Sequence, residues 1–287
     1  MRGMASFSLA GIQFGMPAGG LLRLTCAVLL TGEIAATADC GGIRVDPPVR
    51  PPATTAPAEP ARPPDPAARC FGPTAVNVPM TTADGVRLAG VRLGSGPRGL
   101  VLIHQEDGDM CQWHRYAPRW VAQGYHVLVF DLRCFGFSEC GAVDDYVADT
   151  TIAVATLRAA GAAEVVVVGA GVGAGVALVA GAHLGDQVSG VVALSVPSLT
   201  EPAAPAGRDP RTPLAARTAF RVPLLLVYTE RDRNAMSARS ATRFVNESPS
   251  PDKRLAAFSG TAHGVNMLHT GGEIPVLVEG FLRAHTA

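Results

Sequence analysis

The stretch Glu164-Val-Val-Val-Val-Gly-Ala-Gly-Val-Gly-Ala-Gly-Val-Ala-Leu178 decides how the rest of the chain is read. Val165 to Val168 is a β-branched run with no polar residue, the pattern of a strand covered on both faces. The run breaks on glycine and restarts as an Ala-rich segment with good helix formers. A strand, a tight turn and a helix follow one another here.

Two motif frames fit the turn. Gly169-Ala170-Gly171-Val172-Gly173 occupies the frame G-x-S-x-G, a strained strand-to-helix turn that lifts a nucleophilic serine above a parallel sheet, with Gly171 at the serine position. The same letters, Gly169-x-Gly171-x-x-Ala174, satisfy the G-x-G-x-x-G/A pattern that seats a dinucleotide pyrophosphate on a helix N-terminus. Context separates the two. A dinucleotide turn follows the first strand of its unit and wants an Asp or Glu roughly 20 residues further on. Here several strands precede the turn, and the next strand, Val188 to Ser195, runs into Val196-Pro197 without a carboxylate. A third reading keeps the glycines for close helix–sheet packing alone.

Before the turn, Thr74 to Met80 and Val86 to Leu93 flank Ala83-Asp84-Gly85 and read as two antiparallel strands. Gly99 to His104 is an apolar strand that ends in a histidine. Trp113 to Gln123 shows helical spacing through Trp113, Tyr116, Trp120 and Val121, with Gly124 as its stop. Tyr125 to Phe130 is another buried strand, and Val143 to Ala160 is helical. After the turn, strands are expected at Val188 to Ser195, Val222 to Thr229 and Arg254 to Phe258, with helices at Ser237 to Asn246 and around Ile274 to Leu282. The Pro-rich piece between, Val196 to Phe220, reads as a short lid insertion. Strand and helix alternate from residue 99 onward, which gives an α/β fold with a mostly parallel central sheet and helices on both faces.

Composition bounds the rest. With 287 residues, 48% of them apolar, and a formal net charge of zero, the chain can bury one sizeable core and shows no basic cluster. Nucleic acid is therefore not an expected partner. Arg23 precedes the apolar run Leu24 to Leu30, and Ala36-Thr37-Ala38 has the small-x-small form of a cleavage site, so residues 1–38 read as a signal peptide. Residues 39–69 read as a Pro/Ala-rich tether and 70–287 as the folded domain. Cys40 at the new N-terminus is a candidate for lipidation, the one route by which a membrane would enter. An exported chain keeps disulfides, and with Cys40 set aside, Cys70, Cys111, Cys134 and Cys140 allow three pairings.

From Val76 to Ala284 the chain resembles the α/β-hydrolase superfamily, most of all the dienelactone-hydrolase-type and exported esterase-like proteins of actinobacteria. The marks are the strand ending His104-Gln105, the turn Asp131-x-Arg133-x-x-Gly136-x-Ser138, the Gly169 to Gly173 elbow, and Asp232 with His263, in that order. The resemblance implies an α/β-hydrolase fold and a Ser…Asp…His triad in which Asp232 orients His263. It implies an oxyanion hole from the N–H groups of Gln105 and Val172, with His104 and Ser195 at the pocket and no cofactor or metal. Gly171 departs from it, because a residue without a side chain closes the acyl-enzyme route. A similar glycine-rich elbow occurs in the N-myc downstream-regulated proteins, which are regarded as non-catalytic. Cys134 departs too, replacing the glycine usual after the arginine of its turn. A bridge from Cys111 to Cys134 or Cys140 is the expected use of those thiols. The function expected is a small-molecule-binding or non-catalytic protein. An ester hydrolase with an unrecognised nucleophile and a dinucleotide enzyme are the alternatives.

Overall fold

The alternation of side chains along the central valine run sets the layers of the molecule. Val165 and Val167 point into one apolar cluster, Val166 and Val168 into another on the opposite face of the sheet, and all four are fully buried. The computed structural model describes residues 65–197, 216–269 and 271–286. The expected signal peptide, most of the tether, Cys40 and residues 198–215 of the expected lid lie outside them.

The described chain begins with α1 (Pro66–Cys70), followed by the strands β1 (Val76–Thr81), β2 (Arg87–Leu93) and β3 (Arg98–Ile103). Next come α2 (Ala117–Ala122), β4 (His126–Phe130), α3 (Tyr146–Ala159), β5 (Glu164–Ala170) and α4 (Val172–Leu184). The chain closes with β6 (Gly190–Leu194), β7 (Leu224–Thr229), α5 (Ala238–Glu247), β8 (Lys253–Phe258), α6 (Asn266–His269) and α7 (Glu273–Ala284). Eight strands form one sheet in the order β1-β2-β4-β3-β5-β6-β7-β8. The β1–β2 and β2–β4 pairs are antiparallel, and every pair from β4 to β8 is parallel. With the crossover helices packed on its faces, this is the α/β-hydrolase fold.

Most expected elements fall within three residues of their sequence bounds, and two differences have physical causes. Trp113 to Gln123 is not one helix. A 3-10 turn at Met110–Trp113 precedes α2, and Pro118 sits in the first turn of α2. The proline ring clashes with the carbonyl four residues back, so the helix cannot run through from Trp113. The fold also starts ahead of residue 70. Asp65 accepts from Ala68 N–H at 2.9 Å as the helix N-cap, and Pro66 occupies the first helical position. In a Pro-rich run that start signal is hidden among prolines that mean something else.

Helix α4 lies very close to the sheet. A Cβ on Gly173 would stand 2.4 Å from His104 O and 2.6 Å from Ile103 O, and one on Gly181 would stand 2.7 Å from Val191. These glycines are required by the approach of the backbone, as the packing reading of the run expects. The close seat carries the N-terminus of α4 to the carboxyl end of β3.

The turn after β4 is built by its own motif. Asp131 accepts from Met110 N–H at 2.7 Å and Phe137 N–H at 2.8 Å. Ser138 Oγ donates to Asp131 O at 2.7 Å, and a Cβ on Gly136 would fall 2.1 Å from Asp131 Oδ2. Arg133 is fully buried between Asp149 and Asp84, at 2.7 and 2.9 Å. Cys134 takes φ +67°, the backbone that favours glycine there, and is bonded to Cys140. Cys70 pairs with Cys111. The expected bridge from Cys111 to Cys134 or Cys140 is thus corrected. The tight turn brings the Cα atoms of Cys134 and Cys140 within 4.2 Å, and α1 sets that of Cys70 5.1 Å from Cys111.

Candidate active site

Four loops leave the carboxyl ends of β3, β5, β7 and β8 and meet at one place, the edge at which open parallel sheets bind ligands. Gly171 follows β5 with φ +53° and ψ −125°, which is a glycine region. Its N–H donates to Leu194 O at 3.0 Å, and its carbonyl accepts from Ala174 N–H at 2.9 Å, so the sharp turn is held from both sides. The sharp backbone thus falls on a residue without a side chain.

Asp232 and His263 come together although they leave different strands. His263 Nδ1 donates to Asp232 Oδ2 at 2.7 Å, and the two side chains are 16% and 2% exposed. Asp232 Oδ1 also accepts from Asn234 N–H at 3.0 Å, which fixes the carboxylate. The other ring nitrogen, Nε2, faces the Gly171 turn. That nitrogen is buried and, among the described residues, has no hydrogen-bond partner. It stands 3.1 Å from the point where a Cβ on Gly171 would lie. An oriented imidazole therefore faces the Gly171 turn, where no side chain stands.

The space beside Gly171 has been taken by the loop after β3. The same Cβ point lies 2.7 Å from Gln105 Cβ and 2.7 Å from Glu106 Oε2. Glu106, which sequence reasoning missed, accepts from Val172 N–H at 3.1 Å. The N–H of Gln105 donates to Gln112 Oε1 at 3.0 Å. Both expected oxyanion donors are therefore engaged by side chains of this chain. The Gln105 side chain in turn accepts from Val265 N–H at 3.1 Å and donates to Asp107 at 2.8 Å, tying the loop after β3 to the histidine loop. Hydrogen bonds from Gln105 and Gln112 hold the Asp107 carboxyl below its ordinary range. The nearest sequence signal for Glu106 was its place two residues after His104, where an acid has no role in the expected hole.

His104 and Ser195, expected at the pocket, are structural. His104 is fully buried, donates from Nδ1 to Gln105 O at 2.8 Å and accepts at Nε2 from Leu132 N–H at 3.1 Å. Burial pushes its pKa down, so the ring is a neutral tie between the ends of β3 and β4. Ser195 is fully buried at φ +56° with Oγ 2.9 Å from Met267 Sδ. Neither side chain joins Gly171 and His263. Among the described residues, no group of three or more His, Cys, Asp or Glu side chains is placed to hold a metal ion. The N-terminus of α4 meets the Glu106 carboxylate at the place where the dinucleotide reading would seat a pyrophosphate.

Comparisons with known proteins agree with this geometry at the level of fold. The sequence pattern of the family described as serine aminopeptidase, S33, matches residues 96–209, which include the elbow. No curated protein matches the sequence. Among solved structures, an esterase of Pyrococcus furiosus is 20% identical with a TM-score of 0.62, the match covering 74% of this chain and 91% of that one. A putative aryl esterase from Burkholderia cenocepacia is 20% identical with a TM-score of 0.57, covering 73% and 99%. Epoxide hydrolase A from Mycobacterium thermoresistibile is 18% identical with a TM-score of 0.56, covering 73% and 98%. Sheet order and these likenesses together define an α/β-hydrolase-fold protein.

Proposed function

We propose that this chain is a small-molecule-binding member of the α/β-hydrolase fold in which the acyl-enzyme route is closed, an esterase framework retained for binding. One observation carries the reading. At Gly171 the place of a nucleophile's side chain is filled to 2.7 Å by Gln105 and Glu106, while His263 Nε2 stands beside it without a partner. Asp232 and His263 are, on this reading, the remaining two members of a triad. Covalent catalysis needs a nucleophile within hydrogen-bond reach of its base. Ser195 is turned to Met267, and Cys111 and Cys134 are held in disulfides, so the substitutes for a serine lose their support. The esterases among similar structures favour small esters or their acids as the ligand class. The two disulfides and the signal-like leader favour export and a secreted or envelope-attached protein. Incubation with a fluorophosphonate probe and a panel of activated esters tests the reading. The expected result is no adduct and no turnover above buffer. A probe adduct mapped by mass spectrometry to any residue overturns it.

A further inference from the structure

Loss of the serine is the visible defect, but the hole that would stabilise an oxyanion is closed as well. We infer that Glu106 and Gln112 form a second lock on this site, sealing the two backbone donors from within. Restoring a serine alone then still leaves Gln105 N–H engaged by Gln112. This goes beyond the missing nucleophile, since it assigns roles to two residues that no triad argument touches.

Three observations carry it. Val172 N–H is bound to Glu106 Oε2 at 3.1 Å and Gln105 N–H to Gln112 Oε1 at 3.0 Å, so neither donor is offered to a substrate oxygen. Gln112 is itself held, donating from Nε2 to Asp107 Oδ1 at 2.8 Å, and that acid also accepts from Gln105 Nε2 at 2.8 Å. The carboxylate of Glu106 also brings negative charge to the spot where a tetrahedral intermediate would place its own. An oxyanion hole works by presenting free, preorganised donors to developing negative charge. A carboxylate in that position takes the donor and repels the charge. The absence of a side chain on Gly171 is what admits Glu106, because its Oε2 lies 2.7 Å from the Cβ point. A new Cβ pushes the Glu106 tip aside but leaves Gln105 N–H on Gln112 and the charge next to the hole.

Two measurements test the lock, one without any catalysis. In the otherwise native protein, Glu106→Ala should shift the Val172 amide resonance and speed its hydrogen exchange, because the bond to Oε2 is lost. A Val172 amide whose shift and exchange both ignore the substitution overturns the inference. In the second measurement, fluorophosphonate labelling is compared for Gly171→Ser, for Gly171→Ser with Glu106→Ala, and for that pair with Gln112→Ala. Since a single oxyanion donor is worth roughly 100-fold to 1,000-fold in rate, labelling should rise at least about 100-fold from the first variant to the third. Equal labelling of all three, or a folded third variant that stays unlabelled, overturns the lock. Labelling of the native protein would instead overturn the proposed function, so the two failures are distinguishable.

Discussion

Asp131 shows how a buried residue outside the Asp232–His263 pair shapes the pH response of the molecule. Burial raises its carboxyl from 3.8 to about 6, against the two N–H donors of Met110 and Phe137 that favour the charged form. A folded-state pKa above the unfolded value means that the native state holds a proton the unfolded state has lost between about pH 4 and 6. Stability contributed by this group is therefore full below pH 4, falls as pH rises to about 6 and is flat beyond. The fall amounts to about 3 kcal/mol at most, at 1.36 kcal/mol per unit. Urea unfolding of the native protein and Asp131→Asn across pH 4 to 7 should show the native advantage shrinking with rising pH; a constant gap would refute it. Gly171 gives a second residue-scale prediction. Its backbone is one that L-residues adopt at a cost of about 1–3 kcal/mol. Gly171→Ser and Gly171→Ala should both lose that much, because the Cβ and not the hydroxyl is strained. Chemical denaturation of the pair checks this, and a loss confined to serine would point to the hydroxyl instead.

Helix α4 is the element on which the site depends, and its glycines differ from those elsewhere in kind. Gly173→Ala puts a Cβ 2.4 Å from His104 O, a backbone atom that cannot rotate away, so the helix must lift from the sheet. The expected loss is about 1–3 kcal/mol or more, with a shift of the Val172 amide that reports the helix N-terminus. Gly280 in α7 has nothing within 4 Å of its Cβ point. There the same change to alanine should stabilise by about 0.5–1 kcal/mol, by helix propensity and a stiffer unfolded chain. Thermal melts of the two variants should move in opposite directions; movement in the same direction would mean that α4 is not packed as described.

Over the whole molecule, two disulfides fasten the loops around the site to different parts of the chain. Cys70–Cys111 ties α1 to the 3-10 turn after β3, and Cys134–Cys140 closes the turn after β4 on itself. The longer link spans 41 residues of sequence, so its removal by Cys70→Ser with Cys111→Ser should cost about 2–4 kcal/mol. Non-reducing peptide mapping should recover these two pairs with no free thiol among the four. A peptide joining Cys111 to Cys134 or Cys140 would contradict the arrangement.

The sequence by itself determined the succession of strands along the chain and the parallel core, because these depend on periodicity. Buried valines in a run are a local signal, legible without coordinates, whereas Asp232 and His263 were marked only by the family resemblance. What only the tertiary structure decided depends on which loops meet. Cys70 reaches Cys111 through a helix hidden in a proline-rich run. His104 and Ser195 belong to the packing because their polar atoms find partners in other elements, Leu132 and Met267. Glu106 sits 66 residues from Val172 in the chain, and no spacing rule relates an acid after one strand to an amide after another. Their contact exists because Gly173 lets α4 press against the end of β3, which is a property of packed surfaces that the order of residues does not carry.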